Sequence, residues 1–333
     1  MWFRCSETAR KLILALAPRV AYRIAEMRKA AMLFNPASGR RRERRLAVVE
    51  EVQAALKHAG VETSPTATRS HEEAVQEVAR AVASGFDTVV VCGGDGTVHA
   101  AIQSLAGTNV QLAIIPSGTA NALAHDLCIP LDPRRAALAA LNAQPLRVAL
   151  GRITYLDFKR SPACRYFTVA AGVGVDAHLF YALSAGLKEK MGMAAYYLKA
   201  WHLWMSHRMQ RFPAEFTVEG GSEARTDLTQ LLAVRIRNFG GILRELAAGA
   251  DLRRGDLRLV MCKTDNRLVY FSYVARALIG GKWEIPEVEL AYSRSVTCES
   301  SAGRVYVEAD GELLGTPPVE ISVVPDALTI LVP

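Results

Sequence analysis

A strand that runs into a glycine-rich turn and then into a helix is the feature that most constrains this fold. It lies in the stretch VVVCGGDGTVHAA, residues 89–101. The continuous apolar run before the turn is typical of a strand that is buried on both faces. Gly93, Gly94 and Gly96 leave the turn without Cβ atoms, so its backbone bends freely and a ligand can approach it closely. Alone, the stretch predicts no more than a strand, a tight turn and a helix.

The same arrangement recurs through the first half of the chain. Glycine turns at 35–40, 93–97 and 116–121 each follow an apolar, strand-like run. In segments between these turns, apolar residues recur at the spacing of a helix. One such segment begins at Ser70, a predicted N-cap with Glu73 three residues later. Strands that are apolar throughout and alternate with helices predict an α/β domain whose parallel sheet is covered on both faces.

The second half of the chain has a different pattern. After about Leu146, short strand-like segments are separated by turn residues, and polar and apolar side chains alternate within 304–309. This alternation is typical of half-buried antiparallel strands. One helical region, 185–209, interrupts the strands. We therefore predict a mainly-β second domain, and the 333 residues are enough for two cores.

The chain is basic, with a formal net charge of +7. This charge favours an anionic partner: a nucleotide phosphate, a membrane surface or a nucleic acid. Nucleic acid is the poorest of the three, because aromatic and arginine side chains do not interleave as a base-stacking groove requires. The six cysteines lack a CxxC pair, which is typical of reduced thiols in a cytoplasmic protein, with Cys92 packed in its strand.

Residues 1–28 form an N-terminal extension whose apolar core, 12–17, is stopped by Pro18. A membrane span needs about 20 apolar residues, so this core is too short for one. It is also a poor signal peptide, because Arg19 and Arg23 follow closely. Two interpretations stay open, an amphipathic segment at a membrane interface and a locally packed extension.

Glycine turns at the carboxyl ends of parallel strands are where α/β sheets bind ligands. The amides of the turn and of the next helix start can face a phosphate, supported by the helix dipole. Three such turns favour a phosphate site over ordinary turn chemistry. Asp95 is unusual there, because a carboxylate beside phosphates needs Mg²⁺ or a role in proton transfer. Its alternative role is to cap its own turn.

The motifs NPASG, GGDGTVHAAI, PSGTANALAHDL, VAAGVGVDAHL and EADGELL together resemble those of the diacylglycerol-kinase catalytic family. That family includes diacylglycerol, sphingosine and ceramide kinases and bacterial YegS-like lipid kinases. The resemblance runs in order from about Met32 to the C-terminus. It implies a Rossmann-like nucleotide-binding domain over 29–147, a β-sandwich-like domain over 148–317, and a return of 318–333 to the first domain. It also implies ATP as donor, with Mg²⁺ carried on the nucleotide.

The resemblance places the acidic catalytic residues at Asp95, Asp310 and Glu312. One of the last two would take the proton of the attacking hydroxyl, with Glu312 slightly favoured, and the alternative for their segment is a plain hairpin turn. We expect no metal-ligating residues in the chain. The expected nucleotide-binding residues are Asn35, Ser38, Gly39, Arg40, Gly93, Gly94, Asp95, Gly96, Thr97, Gly118, Thr119 and Asn121. Arg40 is included because a guanidinium beside a phosphate loop is chemically useful, and the equal alternative for its arginine-rich run is a solvated helix face.

Two places depart from the family pattern. Ala100 stands where such kinases often carry a glutamate. Arg253 and Arg254 stand where many bacterial members have an Asp-Asp-Gly sequence that helps to hold a structural metal. Two cations cannot replace two oxygen ligands, so we do not expect that second metal site. His99 and His125 follow glycine turns and are expected on helix surfaces.

These patterns predict an ATP- and Mg²⁺-dependent lipid kinase, cytoplasmic and peripherally associated with the membrane. It would phosphorylate a primary hydroxyl of a diacylglycerol-like or sphingoid-like lipid that enters between the domains. The expected partner is that lipid at the membrane surface, with a homodimer left open. Two alternatives stand beside this hypothesis: a soluble NAD-kinase-like enzyme, which shares the GGDG sequence, and a non-catalytic nucleotide- or lipid-binding module on the same fold.

Overall fold

The contacts within the chain divide it into two compact units. The computed structural model describes residues 27–36, 42–174, 209–218, 221–239, 247–279, 285–299 and 305–333. One unit runs to Arg147 and includes Thr329–Pro333, and the other is Val148–Leu328. Outside the described residues lie Ser38, Gly39 and Arg40, and most of the extension 1–28 and of the helical region 185–209.

The first unit is a parallel sheet with helices between its strands. In chain order its elements are β1 (Lys29–Phe34), α1 (Arg42–His58), β2 (Glu62–Ala67), α2 (His71–Ala83), β3 (Thr88–Gly93), α3 (Asp95–Leu105), β4 (Gln111–Pro116), α4 (Ala122–Asp126) and α5 (Pro133–Leu141). The strand order is β4-β3-β1-β2, with every pair parallel. Thr329 and Ile330 extend the sheet by parallel pairing at the β4 edge. The predicted α/β architecture is confirmed.

Local sequence explains where these elements begin and which strand was missed. The Ser70 hydroxyl accepts a hydrogen bond from the Glu73 amide at 3.1 Å, which confirms the predicted N-cap of α2. Strand β3 is buried along its whole length, as its apolar run predicts. The strand β2 was not predicted, because its sequence, ETSPTA, is polar. Among the described strands it pairs with β1 alone, and Pro65 is tolerated on such an edge strand.

The second unit is built mainly from antiparallel strands. They and one helix are β5 (Gln144–Leu156), β6 (Pro162–Phe167), β7 (Ala170–Gly174), β8 (Phe212–Thr217), β9 (Glu223–Leu228), β10 (Gln230–Val234), β11 (Leu257–Cys262), α6 (Arg267–Ile279), β12 (Val288–Ser293), β13 (Ser295–Cys298), β14 (Val307–Ala309) and β15 (Glu312–Val332). The prediction that 185–209 is the one helical region in this half is wrong, because α6 is a helix elsewhere in it; the region 185–209 itself lies almost wholly outside the described residues.

Two runs of paired strands make up this unit, β12-β11-β10-β7-β14 and β6-β5-β15-β13-β8-β9. Their facing side chains form one apolar core, to which Phe167 and Phe212 contribute from the second run and Leu231 and Leu259 from the first. This packing is the predicted β sandwich. Strand β15 stays paired with β13 through Ser322.

The end of β15 is shared between the units. The family pattern suggests that 318–333 returns to the first domain, whereas the contacts assign Thr329–Pro333 to the first unit and the preceding residues to the second. The side chain of Arg147 fixes this return, because its guanidinium donates to the Thr329 hydroxyl at 2.9 Å and to the Thr108 carbonyl at 2.8 Å.

Candidate active site

Three strands of the first unit bring the predicted nucleotide-binding residues to one edge of the sheet. Asn35 follows β1, residues 93–97 join β3 to α3, and residues 118–121 follow β4. Because β1, β3 and β4 are parallel and adjacent, their carboxyl ends meet at the same edge. The sheet therefore brings together every predicted nucleotide-binding residue that the structure describes.

Two of the glycine turns touch each other directly. A Cβ atom at Gly118 would lie 2.5 Å from the Cα of Gly94 and 2.8 Å from the side-chain oxygen of Asn121. The first contact is with backbone, which cannot move aside as a flexible side chain can. Gly96 is different, since it is exposed and a Cβ there would meet no atom within 4 Å. Close packing therefore requires glycine at 118, while the space beside Gly96 is open.

The side chain of Asn121 closes the third turn. Its backbone is left-handed, with a φ of 49°, a conformation that asparagine tolerates better than most residues. Its amide oxygen accepts from the Gly118 amide at 2.9 Å, and its amide nitrogen donates to the Gly118 carbonyl at 3.0 Å. Asn121 is therefore a turn-forming residue as well as a predicted nucleotide contact.

Asp95 joins the second turn to the third. Its two carboxylate oxygens accept from the backbone amides of Asn121 and Ala122, at 2.8 and 2.7 Å. It therefore caps the start of the neighbouring helix α4 instead of its own turn, and those two amides are taken up by a carboxylate. The catalytic role of Asp95 stays a prediction, and the bracing role is what its contacts show.

The start of α3 is the part of the edge that is open to a phosphate. The amides of Thr97 and Val98 donate to the Gly94 carbonyl. The amides of Asp95 and Gly96 lie at the first two positions of the helix, where no preceding helical carbonyl can accept from them. Such amides and the positive end of the helix dipole favour an anion. Gly96 stands at this point without a side chain to block approach.

The inner face of α3 explains one departure from the family pattern and corrects one expectation. Ala100 is completely buried, so a charged side chain at this position would enter the core. His99 is also buried, with its ring edge-on to His71 at 5.8 Å between centroids. The expectation that His99 lies on the helix surface is therefore wrong.

In the second unit, the predicted acidic segment is a β hairpin. Asp310 and Gly311 connect β14 to β15 with φ values of 47° and 80°, and two successive positive φ values are what a type I′ turn requires. The hairpin alternative is thus the structure that this segment adopts. It fixes where the carboxylates on either side of the turn lie.

The carboxylate of Asp310 is surrounded by donors. One oxygen accepts from the amides of Val169 and Ala170 at 2.9 and 3.1 Å, and the other from the amide and hydroxyl of Thr168 at 3.0 and 3.3 Å. Four donors match the lone pairs that two carboxylate oxygens offer. Asp310 therefore anchors the connection between β6 and β7, and both of its carboxylate oxygens accept hydrogen bonds from that connection.

Glu312 has a different environment. Its carboxylate is paired with the guanidinium of Arg165 on β6, and 37% of its side chain is exposed. Tyr155 lies in the same neighbourhood. Burial raises the pKa of the Tyr155 phenol, and the nearby Arg165 guanidinium acts in the opposite direction. Of the two candidate bases, Asp310 accepts three backbone amides and one hydroxyl, whereas Glu312 is paired with an arginine side chain. Nothing in the sequence pointed to Arg165.

An open groove of ≈ 530 Å³ lies in the second unit, and its lining includes Tyr155 and Cys164, which precedes Arg165 on β6. Carbon-rich side chains dominate its lining, including those of Tyr155, Leu156, Pro318 and Val319. Tyr155 thus belongs both to the groove and to the surroundings of Glu312. The groove offers an apolar surface near a carboxylate.

The described residues hold no ready-made metal cage. Nowhere among them do three or more His, Cys, Asp or Glu side chains converge as metal ligands. The oxygens of Asp95 and Asp310 accept backbone amides. Both carboxylates are thus engaged by the backbone, and Mg²⁺ commonly uses phosphates and one or two carboxylates instead of a protein cage.

The fold and the site define a protein with an α/β domain, whose glycine turns meet at one edge of a parallel sheet, followed by a β sandwich. Two family models match it, "Diacylglycerol kinase catalytic domain" over residues 29–153 and "YegS C-terminal NAD kinase beta sandwich-like domain" over residues 169–332. A protein named diacylglycerol kinase from Mycobacterium tuberculosis is 32% identical over 92% of this chain and 96% of its own length. The chain belongs to the diacylglycerol kinase family, and it is a phosphotransferase with an alcohol acceptor.

Further relatives agree with this assignment. A protein named diacylglycerol kinase from Bacillus subtilis is 28% identical, covering 88% of this chain and 93% of its own length. Among solved structures, a diacylglycerol kinase from Bacillus anthracis superposes with a TM-score of 0.69 at 21% identity, over 92% of this chain and 97% of that one. Yeast NADH kinase superposes with a TM-score of 0.51 at 11% identity, over 92% and 84%. These two structural likenesses concern the fold alone, and the family assignment makes the chain a lipid kinase in general terms.

Proposed function

We propose that this lipid kinase transfers the γ-phosphate of ATP, bound with Mg²⁺, to a primary hydroxyl of a membrane lipid, diacylglycerol-like or sphingoid-like. The observation that carries the proposal is the bare start of α3, where exposed Gly96 opens a helix between two interlocked glycine turns. A phosphate chain can lie against this backbone without meeting a side chain.

Binding of the phosphate donor, ATP, depends on a rigid arrangement of the glycine turns. Contact between Gly94 and Gly118, and the bonds from Asp95 to the amides of Asn121 and Ala122, hold two turns in one arrangement. A preorganised set of amides stabilises charge on the phosphates without rearranging during the reaction. When bound, Mg²⁺ would neutralise phosphate charge, and the nucleotide would carry it to the site.

Glu312 is the residue we assign to the acceptor hydroxyl. A lipid alcohol must lose its proton as it attacks phosphorus, and a carboxylate is a suitable acceptor for that proton. Glu312 is part-exposed and held by Arg165, whereas Asp310 already accepts four hydrogen bonds. Asp310 then acts as the anchor that sets the position of the hairpin from which Glu312 projects.

Three observations support a lipid acceptor met at a membrane surface. The relatives from Mycobacterium tuberculosis and Bacillus subtilis are named diacylglycerol kinase. The second unit has an apolar groove next to the Glu312 neighbourhood. The net charge of +7 favours contact with anionic headgroups. These three points lead us to propose peripheral contact with the membrane. No described helix combines the length and apolar character that crossing a bilayer requires.

The test is transfer of label from γ-labelled ATP to lipids in mixed micelles, with and without Mg²⁺. The panel would hold diacylglycerol, sphingosine, ceramide and a prenol, with NAD as the soluble acceptor. We expect label in one lipid class only when Mg²⁺ is present. Label in NAD and in none of the lipids would overturn the proposal in favour of the NAD-kinase-like alternative, and nucleotide binding without any transfer would favour the non-catalytic module.

Three variants test the proposed site residues in that assay. Glu312→Ala and Asp95→Ala should each lose most of the transfer, and the matched control is Glu223→Ala, an exposed glutamate on β9 of the same unit. Thermal melting would show whether each variant is folded. Full transfer by both Asp95→Ala and Glu312→Ala would contradict the site while leaving the lipid kinase activity standing.

A further inference from the structure

Arg235 is a charged side chain that is completely buried. It follows β10, its exposed fraction is 0%, and it is among the largest side chains with no solvent contact. A buried charge is costly unless it is compensated by partners that replace water. The groups that compensate the charge of Arg235 therefore show which kind of ligand the surrounding backbone binds.

Four backbone carbonyls converge on the Arg235 guanidinium. One terminal nitrogen donates to the carbonyls of Arg254, at 2.9 Å, and Asp256, and the other to those of Leu252, at 2.8 Å, and Ala149, at 3.0 Å. Three of the four come from alternate residues of one loop, 249–256. Carbonyl oxygens aimed at a common centre are the arrangement by which a loop holds a cation.

The acidic side chains of this loop are also paired with arginine. The Arg254 guanidinium makes two hydrogen bonds of 2.7 Å to the Asp256 carboxylate and lies 3.9 Å from the centre of the Tyr292 ring. Asp251 pairs with Arg237 at 3.6 Å. This loop contains Arg253 and Arg254 in place of an acidic pair. Its carbonyl oxygens and its carboxylates therefore bind guanidinium groups.

We propose that the Arg235 guanidinium is the resident cation of the 249–256 loop, and that this loop needs no divalent metal ion. A guanidinium has five N–H donors in a planar fork and can satisfy several carbonyls at once, which an ammonium group cannot do in the same geometry. Burial lowers the pKa of Arg235 to about 10, and the side chain is still charged at neutral pH. This inference concerns the stability of the second unit and does not depend on the proposed reaction.

The experiment measures thermal unfolding of the nucleotide-free chain. We expect the same melting temperature with a chelator as with added Mg²⁺ or Mn²⁺. Arg235→Met should lower the melting temperature by well over 4 °C, because several buried carbonyls lose their donors. The matched control is Arg253→Met in the same loop, whose side chain is exposed and whose loss should leave the melting temperature within about 1 °C.

Either of two results would overturn the proposal. One is a fall of about 2–4 °C or more in the wild-type melting temperature on chelation, with recovery on adding Mn²⁺. The other is a melting temperature for Arg235→Met equal to that of Arg253→Met. If Arg235→Met does not accumulate as folded protein, the chelation experiment on the wild-type chain decides the question by itself.

Discussion

The guanidinium of Arg165 pairs with the carboxylate of Glu312 although the two residues are 147 positions apart in the sequence. Arg165 lies on β6, and Glu312 is the first residue of β15 after the hairpin turn. The side chain that could receive a proton is thus held by a partner on a different strand. Because an arginine can hold a carboxylate in a defined orientation, this pair gives Glu312 a fixed position before any substrate binds.

We predict that Arg165→Met lowers the maximal rate of phosphate transfer by about 10²-fold, because a misplaced base loses its alignment with the attacking hydroxyl. The Michaelis constant for ATP should change little. Steady-state kinetics with the two substrates varied separately would measure both. The matched control is Arg225→Met, which removes an exposed pair with Glu215 in the same unit. Equal activity in both variants would show that the Arg165 pair does not serve the reaction.

Asp310→Asn and Glu312→Gln should fail in different ways. An amide nitrogen at 310 would face backbone donors, so we expect Asp310→Asn to lose about 1–3 kcal/mol of unfolding free energy. Glu312→Gln should keep its stability and lose about 10²–10⁴-fold in rate, as removal of a general base does. Chemical denaturation and initial rates would be measured on both. A stable, inactive Asp310→Asn beside an active Glu312→Gln would reverse the assignment of the base.

Gly118→Ala and Gly96→Ala form a pair that separates packing from binding. The Cβ at 118 would lie 2.5 Å from a backbone atom of Gly94, so Gly118→Ala should be destabilised by about 1–3 kcal/mol, as overpacked sites are. At 96 there is open space, so Gly96→Ala should fold normally and bind ATP more weakly, because its methyl group occupies the phosphate position. Melting curves and ATP titrations would be compared. Wild-type ATP affinity in Gly96→Ala would place the phosphates elsewhere.

Two buried thiols should make the protein less stable in alkali. Burial raises the pKa of Cys92 from 9.0 to about 12, and that of Cys298 in the same direction. Above pH 9 the unfolded chain releases these protons while the folded chain keeps them, so stability is lost as the pH rises from about 9 to 12. Across this range, the free energy of unfolding measured by denaturation should fall less steeply with pH for Cys92→Ala than for the wild type. The same dependence on pH in both proteins would contradict the prediction.

The sequence predicted the parts of the fold that rest on local patterns. The apolar run of β3 and the Ser70 cap of α2 are contained in a few consecutive residues, and both are where the patterns place them. The edge strand β2 has no such pattern, because its sequence is polar and, in the part of the chain that the structure describes, it pairs with β1 alone. Helix α6 was missed since Tyr270, Phe271 and Tyr273 are typical of strands as much as of buried helices.

The sequence indicated which residues belong to the candidate site, but not which groups these residues contact. Glycines after strands indicate where a backbone comes close to a ligand, and these positions do share one edge. That Asp95 caps α4, or that Asp310 gathers the amides of 168–170, depends on turns that meet only in the folded chain. Arg165 was unforeseeable for the same reason, because nothing near it in the sequence distinguishes it from the other arginines.

The shared strand β15 has a consequence for how this chain matures during translation. The first unit is synthesised early, yet its β4 edge waits for Thr329 and Ile330, which leave the ribosome after all of the second unit. Until then, β4 presents unpaired backbone groups at an open sheet edge, which is a surface prone to wrong pairing. A nascent chain stalled before residue 329 should therefore expose this edge to chaperones and proteases, and release of the last few residues closes it.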